Sequence, residues 1–360
     1  MLTKTHYPEN LLPNQLDEYL AKGWFRMGQM IFTCHFLCLQ GDVYSPIWMR
    51  LSLAQHTFSK RMRKRMRQIE TRFRIEVKPA EINETKEQLY QHHRSRFAGF
   101  ISETLAESLL DFSTKNIYQT HEINVFDGEK LIAVSFFDMG QKSIASILGM
   151  FHPDYAQYSL GFYTMMAEVK YGQELGLDYY YPGYVVHNYP KFDYKLRIGE
   201  MEYFDFDSQD WLPFADMDSN RLPAVALKAR LQKMQTLLDA FDIDNHRLMY
   251  PLYDKVTDHD HQEAFMNYPL FVACHYHYLN DRIIAIEYDL TLETYRLSVY
   301  SRLDNLFYFF PFMIDENYDM GNTYFDYLIR DYIIVESDLP EMILYALESI
   351  HHEKVNQKDT

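Results

Sequence analysis

Apolar positions along this chain fall into runs of period two and runs of period three to four, and their alternation lays out most of its elements. Residues 29–39 ("QMIFTCHFLCL") and 43–53 ("VYSPIWMRLSL") are dense in branched and aromatic side chains around "QGD", which predicts two strands joined as a hairpin. Phe58, Met62, Met66, Ile69 and Phe73 then recur at spacings of four and three, the apolar stripe of a helix that Ser59 is placed to cap. A second helical stretch covers about 84–112. Residues 121–126, 131–138 and 143–151 predict a three-stranded meander turned at Asp127-Gly128 and Gly140-Gln141. Leu160, Tyr163, Ala167, Tyr171 and Leu175 mark one face of a helix bounded by Ser159 and Gly176, and Tyr179 to Val186 predicts the next strand.

Strand, strand, strand, helix, strand is the central run of an acetyltransferase-like (GNAT-related) mixed sheet with flanking helices, so an α+β fold is expected. Beyond Trp211 the pattern changes. Residues 222–241 and 339–350 read as helices, as does "MGNTYFDYLIRDYI" (320–333), and 269–302 reads as antiparallel strands with Asn280-Asp281 as one turn. Three domains are expected: 1–100, basic; 101–215, acetyltransferase-like and catalytic; and 216–360, a C-terminal α+β segment of no recognisable chemistry. No internal repeat is evident.

Composition adds little, whereas charge adds more. A chain with 47% hydrophobic and 24% charged residues has the make-up of a globular protein. No apolar run reaches the roughly 18 residues that span a bilayer, so no membrane partner is expected. The opening "MLTKTHYPENLLPNQ" lacks the signal-peptide pattern, and Cys34, Cys38 and Cys274 cannot make a disulfide framework, which together predict a cytoplasmic location. The net charge of −16 alone argues against nucleic acid, but residues 1–100 carry +7 and residues 101–360 carry −23. Such asymmetry suggests a basic surface aimed at a polyanion.

That surface centres on "FSKRMRKRMRQIETRFR", where Lys60, Arg61, Arg63, Lys64, Arg65, Arg67, Arg72 and Arg74 surround the apolar stripe and Glu70 is the one acid. Such a run is either a solvated face or a phosphate-binding helix; like charges four apart repel, which favours a purpose. "YYYPGYVVHNYPKFDYK" (179–195) packs six tyrosines and two lysines into one stretch, either a buried strand with its turn or a slot for a flat polar ligand. The turn before the central helix, "QYSLGFYT", has Gly161 as its one glycine, which speaks against a multi-amide cradle for a coenzyme A pyrophosphate. Metal spacing is poor. Cys34 and Cys38 lie about 13 Å apart along one strand, and in "CHYHY" (274–278) a strand would point Cys274 away from His275 and His277; "DHDH" (258–261) has no second pair nearby. There is no Walker loop, G-x-S-x-G elbow or H-E-x-x-H motif.

Over about residues 15–212 the chain resembles the aminoacyl-tRNA–protein transferase family, the arginyl- and leucyl-transferases. "LDEYLAKGWFRMG" looks like the family's opening helix followed by a glycine, an aromatic and an arginine. "IWMRLSLAQHTFSKRMRKRMRQ" is similar to its "VPLR…S-x-S-Q-R-R…R-R" segment at Arg50, Ser59, Arg63, Lys64 and Arg67. "SLGFYTM" looks like its S-L-G-x-Y turn, and the tyrosine-rich stretch is similar to "Y-x-G-Y-W-V…K-M-x-Y-K" at Gly183, Tyr184, Val186, Lys191, Tyr194 and Lys195. The resemblance implies transfer of an arginyl or leucyl group from aminoacyl-tRNA to a protein with N-terminal Asp or Glu, marking it for degradation as an N-degron, without a cofactor. It implies that Arg26, Arg50, Arg63, Lys64 and Arg67 meet tRNA phosphates. Lys191, Lys195, Gly183 and Gly161 would bind substrate, while Tyr184 and Tyr194 would serve the chemistry. The family's metal-binding cysteines fall on Gln40, Val43 and Pro46, so no metal is expected. An acyltransferase of the same fold using coenzyme A or another donor, and a non-catalytic tRNA- or protein-binding relative, are the alternatives.

Overall fold

The computed structural model describes residues 3–95, 102–254, 265–274, 282–304 and 320–358. It gathers them into two compact units: Thr5–Thr33 with Pro46–Met217, and Met1–Lys4 with Cys34–Ser45 and Asp218–Thr360. In chain order come β1 (Thr3–His6), α1 (Pro13–Ala21), β2 (Phe25–Met27), β3 (Met30–Cys34), β4 (Leu37–Leu39), β5 (Asp42–Tyr44) and β6 (Pro46–Ser52). Next are α2 (Lys60–Arg72), β7 (Arg74–Pro79), α3 (Glu84–Arg94), α4 (Leu105–Leu110), β8 (Thr120–Asp127), β9 (Lys130–Met139) and β10 (Ser143–Phe151). The first unit closes with α5 (Leu160–Glu174), β11 (Tyr179–Val186), a 3₁₀ helix (Pro190–Ile198), β12 (Glu202–Asp205) and β13 (Asp210–Pro213).

Its eight-stranded sheet runs β13-β12-β6-β11-β10-β9-β8-β7. The β10–β11 pair is parallel, and every other neighbouring pair in this order is antiparallel. The mixed sheet and flanking helices are the expected acetyltransferase-like α+β fold. The boundary expected near residue 100 falls inside this sheet, because β7 pairs with β8 along six positions. One face is covered by α5, where Leu160, Tyr163, Met166 and Val169 are buried and each is worth roughly 1.5–3 kcal/mol. Close approach needs Gly172: a Cβ there would come within 2.8 Å of Leu53 and 3.2 Å of Ile144. On the other face Leu16 and Leu20 of α1 pack with Ile31, Tyr118, Ala145 and Tyr181.

Where the elements differ from expectation, pairing has overruled local pattern. The two strands expected at 29–53 are four, because Met30–Cys34 turns back on Phe25–Met27 and a second hairpin, β4–β5, turns at Gln40-Gly41 in left-handed backbone. β7, which the sequence pattern does not predict, takes the edge beside β8. The long helix expected over 84–112 is α3 and α4, with 96–101 outside the described residues. Ser59 caps α2 as expected, accepting from the Met62 N–H, whereas Ser159 sits in left-handed backbone and makes no side-chain cap.

The second unit carries α6 (Pro223–Ala240), β14 (Asn245–Met249), β15 (Leu270–Cys274), β16 (Arg282–Asp289), β17 (Thr294–Leu303), β18 (Tyr327–Ser337) and α7 (Pro340–Lys358). Its five strands form one sheet in chain order. Its core joins Leu227, Leu231 and Leu238 of α6 with Ile286, Leu297 and Val299, and takes in Phe36 and Val43 from the β4–β5 segment. The helix expected at 320–333 is a short 3₁₀ turn followed by β18. Ile329, Ile333 and Val335 suit a strand, and pairing with β17 decides the matter. The Asn280-Asp281 turn, the "DHDH" stretch and His275 and His277 lie outside the described residues.

Candidate active site

The one parallel pair opens the site. β10 and β11 share a ladder only through Ser143↔Tyr179, Ile144↔Tyr180 and Ala145↔Tyr181. Past that point β10 stays with β9 through a register shift at Ser146/Leu148, and β11 stays with β6 through one at Tyr180/Gly183. The two strands therefore part, leaving facing backbone edges without a ladder partner, and Ser146, Ile147 and Leu148 are half-buried while Gly149 is exposed. The start of α5 borders the opening: a Cβ on Gly149 would sit 3.7 Å from Thr164 Oγ1.

Beneath the parting lies Glu168 of α5, wholly buried. Tyr180 Oη donates to its Oε2 at 2.8 Å, Ser135 Oγ donates to its Oε1, and the Ser146 hydroxyl also bonds to it. No cation answers this carboxylate among the described residues, and burial pushes it up to about 7, with the three hydroxyls pulling the other way. Sequence reasoning missed Glu168, although a signal existed. α5 is buried nearly all round, so a lone acid between Ala167 and Val169 has nowhere polar to go.

The 3₁₀ helix Pro190–Ile198 brings together part of the tyrosine-rich stretch. Lys195 Nζ donates to the Tyr184 carbonyl at 2.9 Å and lies 5.4 Å and 5.6 Å from the centroids of the Tyr184 and Phe192 rings. No carboxylate pairs with it among the described residues, and desolvation draws its ammonium down to about 8. Gly183 makes room for it: its φ is +86°, and a Cβ would stand 3.3 Å from Lys195 Nζ and 3.5 Å from Phe25. Tyr184 stacks edge-on to Trp48 and tilts against Phe192. Tyr194 is 44% exposed, and its hydroxyl feels the field of Glu168. Lys191 is exposed on the same short helix. Gly161 lies in the first turn of α5, where a Cβ would meet only ordinary contact with Phe151 at 3.5 Å.

The basic residues separate into two sets. Arg26 is interior: it pairs with Asp138 at 2.8 Å, donates to Thr120, Gly28 and Leu109, and lies 4.3 Å over the Tyr118 ring. Arg50 pairs with Glu202 at 2.6 Å between the rings of Tyr179 and Trp211. Both are engaged in ion pairs within the fold. Arg63, Lys64 and Arg67 are exposed on α2, and none makes an ion pair among the described residues, because Glu70 is taken by Lys170 at 3.0 Å. Cys34 ends β3 buried, Cys38 lies half-buried on β4, and Gln40 and Val43 belong to the β4–β5 hairpin, Val43 fully buried. Among the described residues no group of three or more His, Cys, Asp or Glu is placed to hold a metal.

A mixed sheet whose parallel strands part over a helix start, with a buried carboxylate at the floor, offers a cleft with one unpaired titratable group among the described residues. Comparison with known proteins makes this more specific. The family model described as "Arginine-tRNA-protein transferase, C terminus" matches residues 83–205. An aspartate/glutamate leucyltransferase of Leptospira interrogans is 27% identical over 195 residues, 52% of this chain and 74% of that protein. Arginyl-tRNA–protein transferase 1 of Drosophila melanogaster is 33% identical over 94 residues, 25% of this chain and 19% of its own length. Among solved structures, FemX matches 49% of this chain and 61% of its own at 12% identity and a TM-score of 0.32, a likeness too distant to bear on the argument. The chain is an aminoacyltransferase. Its likeness to the aminoacyl-tRNA–protein transferase family is carried by residues 83–205, which match that family's model, and by the half of the chain that aligns with the leucyltransferase.

Proposed function

We propose that this enzyme moves an arginyl or leucyl group from charged tRNA to the α-amine of a protein whose first residue is Asp or Glu, a cytoplasmic step that marks the acceptor for degradation. The observation that carries the acidic-acceptor reading is the desolvated ammonium of Lys195, which no carboxylate of the described chain neutralises. An acceptor side-chain carboxylate completes that pair, and its amide counterpart does not.

The chemistry asks little beyond placement. The aminoacyl ester is already activated, and holding amine and ester together can supply roughly 7–11 kcal/mol of the barrier. The amine nitrogen attacks the ester carbonyl carbon, the ribose oxygen leaves, and one proton must pass from the amine to that oxygen. An α-amine titrates near about 7.7–8, and a carboxyl at about 7 is matched to such a transfer. In this scheme Glu168 receives the proton through the hydroxyl of Ser146 or Tyr180 and returns it to the leaving oxygen. The hydroxyl of Tyr194, which feels the field of Glu168, and that of Tyr184 are the proposed donors to the oxyanion.

The test mixes the purified protein with leucyl-tRNA or arginyl-tRNA and peptides that begin with Asp, Glu, Asn or Gln, and follows peptide mass. Extension of the Asp and Glu peptides by one residue supports the proposal. Acyl transfer from a coenzyme A thioester, or tight tRNA binding without extension, refutes it.

A further inference from the structure

Three arginines that the resemblance does not single out converge on one cavity. It is a half-open hollow of about 170 Å³ lined by Ser59, Arg61, Met62, Arg65, Phe162 and Arg197, with Arg65 half-buried and Arg61 and Arg197 exposed. A water takes about 30 Å³ of liquid, so the space admits a group of several heavy atoms. Arg61 and Arg65 stand four apart on α2, one turn along the same face, and the Arg197 guanidinium lies 4.7 Å over the Phe162 ring. No acid lines the cavity, and none of the three arginines makes an ion pair among the described residues. The first turn of α2 likewise holds no acid, so bases crowd a helix start whose dipole already favours an anion. Left empty, this arrangement is self-repelling. An anion relieves it.

Its position says which anion. Phe162 is in the first turn of α5, and Glu168 lies six residues further along the same helix, about 9 Å at 1.5 Å per residue. Arg197 shares its short helix with Tyr194 and Lys195. Along the α5 axis the cavity and the buried carboxylate are thus about one nucleoside length apart, and the first turns of α5 border both the cavity and the opening between β10 and β11. In an aminoacyl-tRNA the ester is on the ribose of the last nucleotide, whose 5′ side carries the terminal phosphodiester. We infer that Arg61, Arg65 and Arg197 hold that phosphodiester and so set the ester over the parting of the strands. The inference rests on the aminoacyl-tRNA reading above and adds to it where the donor's last phosphate is gripped.

The test compares two donors bearing the same aminoacyl ester, adenosine and cytidylyl-(3′→5′)-adenosine, in wild type, Arg65→Gln, Arg197→Gln and Arg197→Lys. The expected wild-type preference in kcat/KM for the phosphodiester donor is roughly ten- to hundredfold, the worth of a charge-assisted pair. Arg65→Gln and Arg197→Gln should bring that ratio close to one, and Arg197→Lys should keep part of it. Equal use of both donors by wild type, or a ratio that survives both Gln variants, overturns the inference. Binding of unesterified cytidylyl-adenosine, adenosine and coenzyme A, followed by tryptophan fluorescence, separates this from the function itself. If neither donor reacts, tighter binding of cytidylyl-adenosine than of adenosine, lost in the Gln variants, still supports the arginine site. Equal binding of the two, or tighter binding of coenzyme A, refutes it.

Discussion

Replacing Glu168 by Gln tests the buried carboxylate in two independent ways. The folded protein holds this group at about 7 against 4.5 for an ordinary glutamate, so burial favours the protonated form. Between those two values the folded state binds nearly one proton that the unfolded chain does not, and stability falls as pH rises by about 1.4 kcal/mol per unit. The sign follows from the raised pKa: the contribution is complete below 4.5 and is lost as pH climbs through about 7. Over about 2.5 units the total is roughly 3 kcal/mol. Glu168→Gln removes the titration and keeps a group that the hydroxyls of Ser135, Ser146 and Tyr180 can still bond. The variant should therefore gain on wild type by roughly 3 kcal/mol between pH 4.5 and pH 8 in urea unfolding, whatever other groups contribute to both proteins. In single-turnover assays at saturating substrates its rate should drop at least tenfold, and the ascending limb of the wild-type pH profile near 7 should vanish. A stability difference between the two proteins that is the same at both pH values would refute the burial argument. An unchanged rate and pH profile would refute the proton-transfer role.

The remaining predictions follow from the fates of single cations. Lys195→Met deletes an ammonium held near 8 by desolvation, so it should erase the Asp-over-Asn preference in the transfer assay. Its unfolding free energy should not fall, and a gain of up to about 2 kcal/mol is expected, less than the roughly 3 that the shift alone gives because the bond to Tyr184 is lost. Arg63, Lys64 and Arg67 replaced together by Gln should flatten the salt dependence of tRNA binding by about one unit of slope per lost phosphate contact while thermal unfolding stays put. An unchanged slope would leave α2 a merely solvated face. Arg26→Gln should do the reverse, costing roughly 3–5 kcal/mol in denaturant unfolding by stranding Asp138, with no change in the salt slope.

The meander, the helix that follows it and the strand at Tyr179 were legible because period and turn chemistry agree there, Asp127-Gly128 closing β8 onto β9 and Gly176 closing α5. The site was legible only in part. The motif named Gly183, Tyr184, Tyr194 and both lysines, but choosing between Lys191 and Lys195 needs the turn of a 3₁₀ helix, which half-buries Lys195 and leaves Lys191 exposed. Arg26 looked like a surface cation because its partner, Asp138, is 112 residues away in sequence. β18 looked helical because its partner strand, which decides its state, is invisible in a local window. Arg65 was legible as one base of the candidate phosphate-binding helix, but nothing in the sequence joined it to Arg197, 132 residues away, which lines the same cavity.

How the chain treats its buried charges separates structure from function. Asp138 has Arg26, Glu122 has Lys86 at 2.6 Å, and Glu287 has Arg330 at 3.1 Å, so each ion deep in the fold carries its counter-ion with it. A buried charge without a partner is costly, and an apolar residue of similar shape would serve packing better. Wholly buried Glu168 and half-buried Lys195 are the exceptions among the described residues: one is met only by hydroxyls, the other by a carbonyl and two rings. Their shifts run in opposite directions and converge, the carboxyl rising to about 7 and the ammonium falling to about 8. Between those values Glu168 is ionised enough to accept a proton while Lys195 is charged enough to hold a carboxylate. Had the chain needed these positions only for packing, pairing them as it paired the others would have moved both away from neutrality. In the proposed scheme, the lack of a counter-ion for either among the described residues is what leaves a base and a cation available at the pH where an acceptor amine also begins to lose its proton.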